Sequence, residues 1–138
     1  MRMIVGLLMM LLMSLSAYAQ EADTPWQDAV TGQVEAMRAG DGAEALHFAG
    51  SAFRTQFADQ PEVFIGSVVA LGYGPILTSR SHSFGTFTRV NETSVVQAVI
   101  FVGEDQSLYD AVYQLTNEEG EGWRVLGVVL RKQAAIAI

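Results

Sequence analysis

The sequence predicts an α+β domain in which N-terminal helices pack on a four-stranded antiparallel meander sheet, behind a cleaved signal peptide. Three observations carry this prediction. An apolar run opens the 138-residue chain and ends at a small-residue cleavage motif. Apolar residues then recur at helical spacing as far as the Gly-Tyr-Gly-Pro stretch at 72–75. From Ser79 onward the apolar period changes to two, which is typical of strands.

The first element, residues 1–19, has the three parts of a secretory signal peptide. Arg2 supplies the positive charge, residues 4–15 supply the apolar core, and an Ala-Tyr-Ala motif ends at Ala19. Cleavage is therefore expected between Ala19 and Gln20, which predicts a periplasmic or secreted protein. The alternative is a membrane anchor, but a spanning helix needs about 20 apolar residues and this run is shorter.

Residues 20–138 are expected to form a single domain. Their composition restricts the classes of partner that this domain could bind. The net charge of the full chain is −7, and Arg131-Lys132 is the one basic pair, so no nucleic-acid partner is expected. The chain has no cysteine, which excludes disulfide and thiol chemistry. Two histidines without cysteine do not favour a zinc site, and no metal or cofactor is expected. No stable membrane span is expected once the signal is removed.

Helices fill the region that follows the signal peptide. Thr24 is predicted to cap the first helix, with Gln27 completing a capping box, and Gly40 is predicted to end it. Asp41 is placed to cap a second, short helix. Further helical segments are predicted over 52–57 and from 60 to the stop at 72–75. The buried face of the first helix is predicted to contain Trp26, Val30, Val34 and Met37.

Four strands are predicted in the remainder of the chain, joined by short polar tips that indicate sequential antiparallel hairpins. Their expected ranges are 80–90, 93–102, 107–116 and 123–132. Runs of helices followed by runs of strands predict helices packed on one face of the sheet.

The hairpin tips predict the register of the sheet, and the register decides which face each side chain occupies. We take Val90 to face Thr93 and Gly103 to face Gln106. One face is then almost entirely apolar and is expected to contact the helices. Its residues are Phe87, Val96, Ala98, Ile100, Val102, Tyr109, Ala111, Tyr113 and Leu115.

Within that face, the same register aligns three small residues across neighbouring strands, with a tyrosine on either side. Such a row leaves a trough, which we interpret as a pocket for a small apolar ligand. The alternative is that a helix packs more closely there. The ligand-pocket candidates are Trp26, Phe64, Gly85, Ala98, Tyr109, Ala111 and Tyr113.

The opposite face is also too apolar for a surface that meets only water. It is predicted to contain His82, Phe84, Thr86, Thr88, Val95, Gln97, Val99, Phe101, Leu108, Asp110, Val112 and Gln114. A contiguous apolar patch usually marks an interface, and a homodimer through the sheet is the natural hypothesis. The alternative cover is the apolar tail at 134–138. The interface candidates are Phe84, Val99, Phe101, Leu108 and Val112.

The sequence assigns no catalytic residue. His82 and Asp110 are predicted to share a face, but about 12 Å would separate their backbones, too far for an oriented dyad. No serine stands in a nucleophile-elbow pattern. The sequence therefore favours binding, or assembly through the sheet, over catalysis.

Several motifs, in this order, resemble the DUF4864 family of small exported bacterial proteins, over residues 26–130. They are Gln33-x-Glu35-Ala36-x-Arg38-x-Gly40-Asp41-Gly42, Phe53-Arg54-x-x-Phe57, Phe64, Gly72-Tyr73-x-Pro75, Arg80-Ser81-x-x-Phe84-Gly85 and Gly122-Trp123-Arg124-Val125-x-Gly127. The resemblance implies an NTF2-like (SnoaL, cystatin-like) fold, a cone formed by a strongly curved sheet around helices. That fold often encloses an apolar pocket and often dimerises through its sheet. The resemblance also implies that an isomerase-like or hydrolase-like enzyme would need a carboxylate or a histidine inside the cone, beside Tyr109 or Tyr113. Val128 stands where the family often has cysteine.

Overall fold

The computed structural model describes residues 23–134. The predicted signal peptide with its Ala19–Gln20 cleavage site, and residues 135–138 of the apolar tail, lie outside that range. The helices are α1 Trp26–Arg38, α2 Gly42–His47, α3 Ser51–Phe57, α4 Pro61–Val68 and α5 Gly74–Leu77. The strands are β1 Ser81–Asn91, β2 Ser94–Val102, β3 Leu108–Glu118 and β4 Gly122–Lys132.

The start of α1 differs from the prediction. The helix begins at Trp26 without any side-chain cap, so the capping box predicted for Thr24 and Gln27 is wrong. The Gln27 side chain instead donates to Gln97 of β2 across 3.1 Å. A tertiary hydrogen bond has therefore replaced the local one, which fixes this end of α1 to the sheet.

The end of α1 and the start of α2 follow the prediction. Gly40 takes a φ of +69°, a conformation that glycine adopts readily after a helix. The Asp41 carboxylate then accepts a hydrogen bond from the Glu44 backbone N–H at 3.0 Å, which caps α2. The chain thereby reverses within three residues and lays α2 against α1.

The Gly-Tyr-Gly-Pro stretch bends the chain rather than ending the helical region. A wide π-helical turn, Val69–Tyr73, links α4 to α5, and Gly72 in it has a φ of +100°. Only glycine adopts this conformation without strain, so Gly72 permits the change of direction. No helix within residues 23–134 has the length and apolarity required to cross a membrane.

The sheet has the order β1-β2-β3-β4 with every neighbouring pair antiparallel, which confirms the predicted meander. Helices pack on its inner face, where the core lies. The outer face is turned away from the helices. The inner face buries Trp26 and Val34 of α1 against strand residues such as Phe101, Tyr113 and Leu115.

The register between β2 and β3 differs by one residue from the prediction, and this reverses the faces of β2. Val99 lies opposite Ala111, and Phe101 lies opposite Tyr109. The inner β2 residues are therefore Val95, Gln97, Val99 and Phe101, whereas Val96, Ala98, Ile100 and Val102 point outward. The predicted faces were correct for β3 and wrong for β2.

The length of the β2–β3 loop explains this error. The prediction assumed two residues between Gly103 and Gln106, but Gly103 pairs with Ser107 through an N–H···O bond of 2.7 Å. The loop therefore has three residues, and the last of them, Gln106, has a φ of +73°. Glycine usually occupies this left-handed position of a three-residue hairpin, so glutamine gives no sequence signal for it.

A bulge in β1 produces the second difference. The pairing with β2 shifts by one residue between Phe84 and Phe87, so both phenylalanines, and His82, face inward. Fully buried Gln97 compensates for the bulge, since its amide NH₂ donates to the Gly85 carbonyl at 3.0 Å. Its amide oxygen accepts from the indole N–H of Trp26 at 2.8 Å.

The predicted trough of small residues does not form. Gly85 and Ala98 neighbour each other near the outer side of the sheet, where a Cβ on Gly85 would lie 3.4 Å from that of Ala98. Ala111 instead pairs with Val99 and is buried on the inner side. The one-residue shift thus divides the row between two faces.

The Gln97 hydrogen bonds provide a stability test. We expect Gln97→Met, which keeps the length of the side chain, to lower the free energy of unfolding by about 2–4 kcal/mol, because the indole N–H and the bulge carbonyl lose their partner. Urea denaturation measures the change. Gln114→Met is the matched control on the exposed outer side of β3, and it should stay within about 0.5 kcal/mol of the parent. Equal losses in both variants would contradict this role for Gln97.

Candidate functional site

An apolar cleft of about 420 Å³ lies between α3 and α4 on one side and β4 on the other. We call it the apolar cleft. Its apolar lining includes Phe53, Phe57, Phe64, Val68, Val125 and Val128. Neutral polar side chains also reach it, from Gln33, Gln56, Ser67, Tyr73 and Tyr113. Among the described residues, no carboxylate, basic side chain or imidazole lines it.

Helical spacing builds the aromatic wall of the cleft. Phe53 and Phe57 are four residues apart on α3, so they share one face of that helix. Both rings contact Phe64 of α4, with ring centroids 6.2 Å and 5.5 Å away. These three rings join α3 to α4 and give the cleft a rigid apolar side.

A tyrosine hydroxyl connects the two sides of the cleft near the π-helical turn. Tyr73 donates a hydrogen bond of 2.7 Å to the backbone carbonyl of Val128 on β4. Leu71, two residues earlier, is 76% exposed. An apolar side chain so exposed beside an apolar cleft enlarges the surface that a ligand could cover.

The start of α3 is fixed to the β3–β4 hairpin through Glu118. Its carboxylate accepts from the Ser51 backbone N–H at 2.9 Å and from the Arg54 guanidinium at 3.0 Å. Burial raises the pKa of Glu118, but these two donors outweigh burial, and the net shift is downward. Glu118 therefore stays ionised at neutral pH and holds the start of α3 against the sheet.

Tyr113 of β3 lies at the inner end of the cleft, with its ring 1% exposed. Burial raises the pKa of its hydroxyl, while the nearby positive charge of Arg38 opposes the rise. The hydroxyl consequently remains protonated and able to donate. Gln33, also in the lining, uses its amide NH₂ to donate to the Ala45 carbonyl at 3.2 Å.

A separate polar group occupies the inner face beside α1. His82 contacts Thr31 through Nε2 at 3.1 Å and Arg38 through Nδ1 at 3.2 Å. Since a guanidinium only donates, Nδ1 accepts and Nε2 carries the proton toward Thr31. Burial, and then the charge of Arg38, lower the pKa of His82, against a smaller opposing effect of Glu35. The imidazole is thus held neutral.

His82 has no catalytic partner in Asp110. The two residues were predicted to share a face, but Asp110 pairs with Ile100 on the outer side of the sheet whereas His82 faces α1. Gln133 donates to the Asp110 carboxylate at 2.8 Å. No group of three or more His, Cys, Asp or Glu side chains suited to a metal occurs within residues 23–134.

The structure brings only part of the predicted pocket together. Phe64 and Tyr113 line the apolar cleft. Trp26 is fully buried in the core, and Tyr109 lines a separate groove of about 430 Å³ near α5. The small residues Gly85, Ala98 and Ala111 lie outside the cleft.

Sequence reasoning missed most of the cleft because it placed the pocket over the middle of the sheet. The aromatic spacing of Phe53 and Phe57 was the available signal for a wall on α3. Tyr73 gave no such signal, because its position depends on the bend at Gly72.

The interface candidates divide between the two faces. Leu108 and Val112 are 41% and 45% exposed on the outer face, as predicted. Phe84, Val99 and Phe101 point inward, so their prediction as outer residues was wrong, for the reasons of register given above. The exposed apolar residues of the outer face, here called the outer patch, are Ile100, Leu108, Val112 and Val129.

Comparisons with known proteins agree on family and fold. The model of a domain of unknown function, DUF4864, matches residues 19–138. A proposed NTF2-like transpeptidase from Campylobacter jejuni has a similar structure, with a TM-score of 0.54 and 12% identity over 75% of this chain and 99% of that chain. An NTF2-like protein of unknown function from Shewanella baltica gives a TM-score of 0.53 and 12% identity over 80% and 93% of the two chains. No curated protein matches the sequence significantly.

The neutral state of His82 generates a pH prediction. Because the folded protein lowers the pKa of His82 below its ordinary value, the unfolded chain binds the proton more readily. The stability contribution is therefore complete above about pH 6.5 and declines as the pH falls below it. We expect His82→Gln to flatten the pH dependence of the unfolding free energy between about pH 7 and 5, where the slope from one histidine is at most about 1.4 kcal/mol per pH unit.

Urea titrations at several pH values measure this slope. His47→Gln is the control, because His47 is exposed on α2. A His82→Gln protein that retains the parental slope would refute the assignment.

Proposed function

The chain belongs to the DUF4864 family of domains of unknown function and has an NTF2-like fold, and from that premise we propose that it binds a small apolar ligand in the apolar cleft. The observation that carries the proposal is the cleft itself, about 420 Å³ with a largely apolar lining. Binding sites for small molecules are typically of this size and combine apolar walls with a few polar groups. Burial of apolar ligand surface supplies about 25 cal/mol per Å².

The lining supports binding over catalysis. The Campylobacter jejuni protein is described as a proposed transpeptidase, but at 12% identity the likeness extends to fold alone. An isomerase-like or hydrolase-like reaction would need a carboxylate or imidazole beside Tyr109 or Tyr113. In the described part of the apolar cleft, Tyr113 is accompanied by apolar and neutral groups. Tyr109 lies with the exposed loop carboxylates Glu104 and Asp105 in the separate groove near α5, outside the apolar cleft. We propose that binding occurs in the periplasm or outside the cell, on the basis of residues 1–19.

A substitution that fills the apolar cleft should weaken ligand binding. The neutral fluorescent probe phenylnaphthylamine should bind the parent protein with a fluorescence increase, and Ser67→Trp should weaken binding at least about tenfold by occupying the space. Thr55→Trp is the matched control, because Thr55 is exposed on α3 and is not part of the lining. Circular dichroism checks that each variant is folded.

A parent protein that gives no fluorescence increase, or equal binding by all three proteins, would refute a ligand role for the cleft. Native mass spectrometry of protein purified from the periplasm provides an independent test. A bound mass that disappears in Ser67→Trp would identify the natural ligand of the cleft.

The outer patch supports a second candidate function, a homodimer formed through the sheet. Val129 is 68% exposed and pairs with Val112 across β3 and β4, so the two valines form a continuous apolar surface. Ile100 and Leu108 extend that surface along β2 and β3. Water-exposed apolar patches usually mark contact surfaces, and a twofold dimer would cover the patch on both copies. Coverage by the apolar tail is the competing hypothesis.

The dimer is tested by sedimentation velocity at tens of micromolar. We expect the parent protein to sediment as a dimer and Val112→Glu to sediment as a monomer, because a buried unpaired carboxylate opposes association. Val63→Glu is the matched control, since Val63 is 44% exposed on α4, away from the sheet. A monomeric parent protein would contradict the dimer hypothesis.

A further inference from the structure

The two tyrosines of the apolar cleft differ in how their hydroxyls are satisfied. The Tyr73 hydroxyl donates its hydrogen bond to the Val128 carbonyl at 2.7 Å, so this donor already has a partner within the fold. The Tyr113 hydroxyl has no hydrogen-bond partner among the described residues, although its side chain is 1% exposed. Buried tyrosine hydroxyls usually have a partner, so this donor is available to a ligand.

Tyr113 contributes to the lining of the cleft from β3. Gln97 and Val128 flank Tyr113 on the neighbouring strands, and the Phe101 ring lies 6.4 Å away on the same face. Tyr113 thus combines a hydroxyl without a partner among the described residues with a place in the wall of the cleft.

The chemistry around the hydroxyl selects the kind of acceptor. Because burial keeps the phenol protonated, it presents a donor at neutral pH. Arg38, whose charge acts on the Tyr113 hydroxyl, is outside the lining and already contacts Ser79 and His82. Because no cation lines the cleft in the described part of the chain, a carboxylate there would lose its hydration without a counter-ion in direct contact, whereas a neutral carbonyl loses much less.

We infer that the ligand of the apolar cleft is an apolar molecule carrying a neutral carbonyl group, whose oxygen accepts a hydrogen bond from the Tyr113 hydroxyl. This inference rests on the proposed function, and it narrows the ligand to ketones, aldehydes, esters and amides with an apolar body. Tyr113 is a binding residue here, and no reaction of the carbonyl is required.

Three probes of one shape test the inference: ethylnaphthalene, acetylnaphthalene and naphthoate, all substituted at the same ring position. Their affinities are measured by displacement of phenylnaphthylamine from the parent protein. We expect acetylnaphthalene to bind about five- to tenfold more tightly than ethylnaphthalene, which is the contribution of one neutral hydrogen bond. Naphthoate should bind more weakly than acetylnaphthalene.

Tyr113→Phe should abolish the advantage of acetylnaphthalene over ethylnaphthalene and leave ethylnaphthalene binding nearly unchanged. Tyr109→Phe is the matched control, because Tyr109 is on the same strand but lines the separate groove near α5. It should retain the full advantage.

The outcomes separate this inference from the proposed function. If phenylnaphthylamine does not bind the parent protein, the proposed function fails, and the inference fails with it. If phenylnaphthylamine binds but the parent binds acetylnaphthalene and ethylnaphthalene equally, or binds naphthoate most tightly, only the carbonyl inference is overturned. Retention of the carbonyl advantage in Tyr113→Phe would overturn it as well.

Discussion

The hydrogen bonds of the Gln97 side chain join three parts of the fold: the bulge in β1, strand β2 and the start of α1. The bulge in β1 frees the Gly85 carbonyl, and the Gln97 amide NH₂ donates a hydrogen bond to it at 3.0 Å. The Gln97 amide oxygen receives the indole N–H of Trp26 at 2.8 Å, which places the start of α1 over the sheet. Because a buried polar group without partners is costly, the bulge, the register of β2 and the position of α1 depend on one another.

The same residue shows why the strands could be predicted from the sequence while the inward face of β2 could not. Alternation of apolar and polar residues identified all four strands, and hairpin tips gave their order. On β2, however, the set with Val96 and Ile100 is wholly apolar, while the inner set contains the polar Gln97. Apolarity therefore favoured the wrong face. Only the tertiary partners of Gln97, and the left-handed Gln106 that lengthens the loop, make the true register favourable.

The candidate site was predictable to a similar extent. Phe64 and Tyr113 could be chosen because large apolar and amphipathic side chains were expected where the helices cover the sheet. The location of the cleft at β4 could not, because it depends on how far α3 and α4 stand from that strand. Two side-chain contacts distant in sequence contribute to this separation, namely Glu118 with Ser51 at 2.9 Å and Tyr73 with Val128 at 2.7 Å. Neither contact has a local sequence signature.

These two contacts also explain how an apolar cleft persists in water. Apolar walls free to move would close on each other, because closure removes apolar surface from solvent. The Glu118 contacts fix the start of α3, and the Tyr73 hydroxyl fixes the π-helical turn to β4, so the walls are held at both ends. A ligand of the kind proposed would then enter space that the fold keeps open, without the cost of separating packed side chains. Polar contacts at the ends of the cleft thus preserve the apolar surface between them.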